Sequence, residues 1–95
     1  MKRDPLLEVE LDVRAEIASS LGRAGRRLEQ AVGALAAAEE WGGEAGRRAL
    51  VDAAAEALWA CVVQREAIGL TDHAGLGEAY GVTSEMWRRM GAAPA

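Results

Sequence analysis

The residues best equipped for chemistry in this chain gather in one stretch, WACVVQREAIGLTDH, residues 59–73. It carries Cys61, Gln64, Arg65, Glu66, Asp72 and His73. A thiol beside an imidazole can serve as nucleophile and base. An imidazole with carboxylates can begin a metal site. Neither pattern is complete. Cys61 is the single cysteine and His73 the single histidine, so no C-x-x-C or H-x-x-x-H spacing exists to hold zinc. Cys61 also falls on an apolar helical stripe, where a thiol is commonly inert. The structural reading has Arg65 reaching a carboxylate on an earlier helix, Asp72 capping, and His73 on a surface turn. The expectation is a polar corner of Gln64, Arg65, Glu66, Asp72 and His73, with no catalytic, metal or cofactor role.

A second stretch, LGEAYGVTSEMWRRMG (residues 76–91), resembles the second half of a helix-turn-helix. A glycine at the turn, an apolar residue after it and Ser or Thr opening the next helix give Gly81, Val82 and Thr83 their order. As a DNA reader this segment, within 72–90, would use Thr83, Ser84, Arg88 and Arg89. Glu78 and Glu85 cancel the two arginines, however, and glutamate beside phosphate is unfavourable. Packing at a helical corner is the favoured role. Elsewhere Glu8, Asp12 and Glu16 form an i, i+4 row, which reads as a solvated face. GRAGRR (residues 22–27) lies inside a helical pattern and matches no phosphate-binding loop.

The elements that must position these residues are helices. Asp4-Pro5 is a helix start, since Asp accepts from free N–H groups and Pro loses no hydrogen bond at the first position. An apolar stripe follows through Leu6, Val9, Val13, Ile17, Leu21, Ala24, Leu28, Ala31, Leu35 and Ala38. From Ile17 its steps alternate between four and three, as in a coiled-coil seam. Leu7, Val9, Leu11 and Val13 also alternate with charged residues as a strand would, but no second strand exists to pair with them. Ala18, Gly22 and Gly25 offer a small-residue face for close approach of another helix, or a notch edged by Arg23, Arg26 and Arg27. Trp41-Gly42-Gly43 ends the first helix, with a left-handed termination supplied by the glycines.

A second helix runs from about Glu44 to Ile68 with Val51, Ala54, Ala55, Leu58, Cys61 and Val62 on its stripe, and Gly69 stops it. Thr71-Asp72 caps a short helix to about Tyr80, and Thr83 caps a last one. At 1.5 Å per residue the long helices measure about 54 and 38 Å. A Gly-Gly turn makes them antiparallel. The first then overhangs by about ten residues, and Leu6, Leu7, Val9, Leu11 and Val13 need cover. The two short helices are placed to supply it, with a partner chain covering the rest.

Composition bounds the function classes. The 95 residues make one domain, 1–95, with 1–3 and 91–95 frayed. A chain this short is marginal alone, and oligomerisation adds buried area. A net charge of −4, with no basic segment, disfavours nucleic acid or an anionic membrane as the main partner. No apolar run spans a bilayer, and Met1-Lys2-Arg3 is followed by acidic residues instead of the apolar run of a signal peptide, so the cytoplasm is the expected location. Arginine replaces lysine almost throughout, as in GC-rich bacterial genomes.

Three stretches, SLGRAGRRLE (20–29), WACVVQREAIGLTDH (59–73) and YGVTSEMWRRMG (80–91), resemble a small uncharacterised bacterial family of all-helical proteins of about a hundred residues. The resemblance implies a fold and an independent domain, and carries no activity with it. The expected protein is all-α: a long antiparallel helix pair with two short C-terminal helices packed on the N-terminal overhang. Its expected function is that of a non-catalytic interaction or assembly module, a homodimer or larger, open to a protein partner. A small DNA-binding regulator is the alternative.

Overall fold

The structure, a computed structural model, describes residues 4–41 and 43–91, without the side chains of 39–41 and 45. The expected fraying of 1–3 and of 92–95 lies outside the described residues. Four helices follow in order: α1 (Pro5–Trp41), α2 (Glu44–Ala67), α3 (Leu76–Tyr80) and α4 (Ser84–Met90). The described residues contain no strand. Residues 6–14 are helical, so the strand reading of that segment falls. The Asp4 carboxylate accepts from the Leu6 N–H at 3.0 Å and starts the helix as its position suggests.

α1 and α2 pack as an antiparallel pair. Their seam buries Ala24, Leu28 and Leu35 from α1 against Val51, Ala54, Leu58, Cys61 and Val62 from α2. Leu28 and Leu58 are fully enclosed. Alanine is abundant on both faces, so the backbones approach closely and a few leucines fill the space. Gly43 at the turn is extended, with φ −74° and ψ 169°, instead of left-handed. Gly42, the other half of the expected glycine stop, lies outside the described residues.

The short helices contact the pair, but not where length alone placed them. Gly69, at φ +88°, reverses the chain at the end of α2. From there residues 70–90 run back along the pair toward the α1–α2 turn. Tyr80 reaches Gly25 and Gly81 lies against Val32. α4 packs on the first half of α2, where Arg47 pairs with Glu85 and Arg89 with Asp52. Leu76 and Met86 enter the core, with Tyr80, Val82 and Trp87 partly buried against it.

The expected cover of the overhang is therefore corrected. Gln64 of α2 bonds Ser20 of α1 at 3.0 Å, so α2 ends beside Ile17. Residues 5–16 continue as helix past that point, with every residue exposed. Leu6 is 73% exposed, Val9 58% and Val13 51%. The chain reversal at Gly69 carries the C-terminal helices away from this end, which is why a count of residues misplaced them.

The small-residue face of α1 is also used differently. A side chain, not another helix backbone, meets it at Gly25, while Ala18 is exposed and Gly22 has only its own helix's Arg26 near. A methyl added at Gly25 would stand 2.7 Å from the Tyr80 hydroxyl, so the glycine seats the phenol ring. Gly33 has nothing within 4 Å and serves no such contact.

Candidate functional site

Four of the five residues of the predicted polar corner meet. The last turn of α2 presents Arg65 and Glu66, and the loop after Gly69 returns Asp72 and His73 to them. Arg65 Nε donates to His73 Nδ1 at 3.1 Å, and its Nη2 donates to the Asp72 carbonyl at 2.8 Å. With Nδ1 accepting, the ring hydrogen sits on Nε2, which donates to Glu66 Oε1 at 3.2 Å. The Asp72 carboxylate accepts from the Ala74 N–H at 3.0 Å, the local turn expected of aspartate. The Arg65 carbonyl accepts from the Leu70 N–H at 2.9 Å.

Arg65, Glu66 and His73 bond one another and Arg65 bonds the loop backbone, so the arrangement staples the 69–75 loop to α2. Two expectations change. Arg65 serves the loop and not a carboxylate on α1. Gln64 takes no part, because its side chain faces Ser20.

Cys61 is 2% exposed and lies in the seam. Burial pushes its thiol pKa up, against a smaller lowering from the Arg65 charge. The thiolate that a nucleophile needs is thereby disfavoured. Among the described residues no three His, Cys, Asp or Glu side chains gather as a metal would require. No helix among them is long and apolar enough to cross a membrane.

The second predicted set lies on α4 and its cap. The Thr83 hydroxyl accepts from the Met86 N–H at 3.3 Å, holding the first turn. Thr83, Ser84 and Arg88 face outward. Arg89 is committed to Asp52. Glu85 accepts two hydrogen bonds from Arg47, one at 2.9 Å. Those bonds hold the Glu85 carboxyl below the usual range, with burial opposing and the Arg47 and Arg88 charges adding to the shift. An open depression of about 630 Å³ runs along this contact, lined by Arg47, Arg48, Asp52, Glu85, Arg88 and Arg89 among others. Its charges are paired in two places, which fastens α4 to α2.

The feature that sequence reasoning placed under cover is the one left open. Leu6, Leu7, Val9, Leu11 and Val13 stand half or more exposed on the overhang, and Ile68 and Leu70 are exposed on the end of the pair beside it. The signal that could have found this was the glycine reversal after α2.

A family model described as a family of unknown function, DUF6665, matches residues 6–95. The chain belongs to the DUF6665 family. The match spans all three stretches that carried the sequence resemblance. It includes the overhang from Leu6, so in this DUF6665 chain the uncovered end belongs to the same matched unit as the packed body. No curated protein and no solved structure matches the chain.

Proposed function

We propose that this chain is a non-catalytic interaction module of the cytoplasm that assembles through the uncovered end of its long helix. One observation carries the reading: five large apolar side chains between Leu6 and Val13, each at least half exposed, on a regular helix. Leu6, Val9 and Val13 share one side of the helix, with Leu7 and Leu11 round from them, and exposed apolar side chains in this number mark an interaction surface more often than a solvated one. The chemistry-bearing residues support the same reading. Arg65, Glu66 and His73 of the polar corner bond one another, and Cys61 is sealed in the seam.

The test is the mass in solution by light scattering across concentration. The wild-type chain is expected to self-associate, or to take up a partner, and Val13→Glu to stay monomeric with its helical content intact. Val13 is exposed, so a charge there leaves the fold unharmed. An oligomer that forms equally well with Val13→Glu would sink the proposal.

A DNA reader built on 72–90 has narrower support. Thr83, Ser84 and Arg88 face outward, but Arg89 and Glu85 are tied to α2. A duplex titration at low salt, where Lys and Arg contacts to phosphate are strongest, removes it if no binding appears.

A further inference from the structure

We infer that the occupant of the overhang is the overhang of a second copy, running antiparallel about a two-fold axis near Leu11 and Asp12. The inference rests on the assembly reading above and names its partner and register.

Over residues 17–38 the seam of α1 is filled by an antiparallel helix, α2. Leu6, Glu10, Val13 and Ile17 extend that face by steps of four, three and four. What is missing over residues 5–16 is another antiparallel helix on the line of α2. A second α1 supplies one, and two-fold symmetry lets each chain fill the other's gap with the same surface. The gap and the filler have the same length, about 18 Å.

With the axis between Leu11 and Asp12, Leu6 faces the partner's Ile17 and Val13 faces the partner's Glu10. Glu10 is the one acid on this face, and Arg14 lies beside the face one turn later. The register brings each Glu10 within reach of the partner's Arg14, making two reciprocal pairs. Both residues are exposed, and neither has an ion pair among the described residues. The other acids of the overhang, Glu8, Asp12 and Glu16, fall on the far side. The N-terminal turn, with Leu6 and Leu7, then meets the partner's exposed Ile68 and Leu70.

Covering the side chains on this face in two copies removes on the order of 1,000 Å² from water, just below the roughly 1,200–2,000 Å² of stable interfaces and in the range of weak ones. The association is therefore concentration-dependent.

The test uses charge exchange in the full chain. Glu10→Arg and Arg14→Glu each place like charges across the axis, and each is expected to raise the dimer Kd at least tenfold. Mixing the two variants is expected to restore dimers near the wild-type Kd. One variant carries a positive charge at both positions and the other a negative charge at both, so each hybrid again sets opposite charges across the axis. Helical content by circular dichroism checks that both variants fold. Two 64 Å chains overlapping by about 18 Å also give a particle roughly 110 Å long in X-ray scattering.

Single variants that dimerise as the wild type does, or a mixture that fails to recover, overturn the register while Val13→Glu still decides the assembly reading. A wild-type chain monomeric at every concentration overturns self-pairing and leaves the overhang to a different protein. A dimer only about 64 Å long overturns the end-to-end arrangement.

Discussion

Residues 17–41 and residues 5–16 belong to one continuous helix and carry the same kind of apolar face. Along the first, Leu28 is fully buried and Leu35 is 5% exposed. Along the second, Leu6 is 73% exposed. The helical backbone is the same on both sides of Ile17, because extending an existing helix adds a hydrogen bond per residue without a new nucleus. What differs is the supply of a neighbour. An apolar period therefore announces a face that wants cover, and the chain's topology decides whether the cover comes from within.

The largest effect expected from this contrast is in stability. Leu28→Ala should cost about 2–5 kcal/mol, the range for a leucine lost from an enclosed site. Leu6→Ala should change the monomer by under about 0.5 kcal/mol, as exposed substitutions do. Urea denaturation at low protein concentration compares them. Equal losses at the two positions would mean that the overhang is covered within the chain.

Glycines of the body sharpen the contrast next. Gly33→Ala should gain about 0.5–1 kcal/mol from helix propensity, since nothing lies near its added methyl. Gly25→Ala meets the Tyr80 hydroxyl at 2.7 Å and should lose stability despite the same propensity gain. Thermal midpoints of the two variants moving together would refute the seat for Tyr80.

The smallest effect is acid sensitivity at the α2–α4 contact. Glu85 has its folded pKa lowered, first by its hydrogen bonds from Arg47. A lowered carboxylate contributes stability above its ordinary value, about 4.3, and that contribution is lost as pH falls through the lower folded value. Glu85→Gln should flatten this acid-side loss in melting scans. Identical scans for the variant and the wild type below about pH 4.3 would contradict it.

Much of this fold is written locally. Asp4-Pro5 starts α1, Thr83 caps α4 and Gly69 stops α2, each through groups a few residues apart. Most of the polar corner was legible for the same reason, since Arg65 and His73 are eight residues apart. Gln64 was not, because its partner Ser20 is 44 residues away. The seating of the short helices depends on Arg47 with Glu85, Arg89 with Asp52 and Tyr80 on Gly25. Such pairs join distant parts of the chain and leave no period to read. The uncovered overhang follows from that seating, so it too lay beyond the pattern.

The contact of Tyr80 with Gly25 has a practical consequence. It is the chain's single tyrosine, and residues 5–16 contain no aromatic ring. The ultraviolet signature of the phenol therefore reports the docking of α3 alone. The overhang is optically silent in that window. Near-ultraviolet signals, from Tyr80 and the three tryptophans, therefore follow the body and pass over events at its free end.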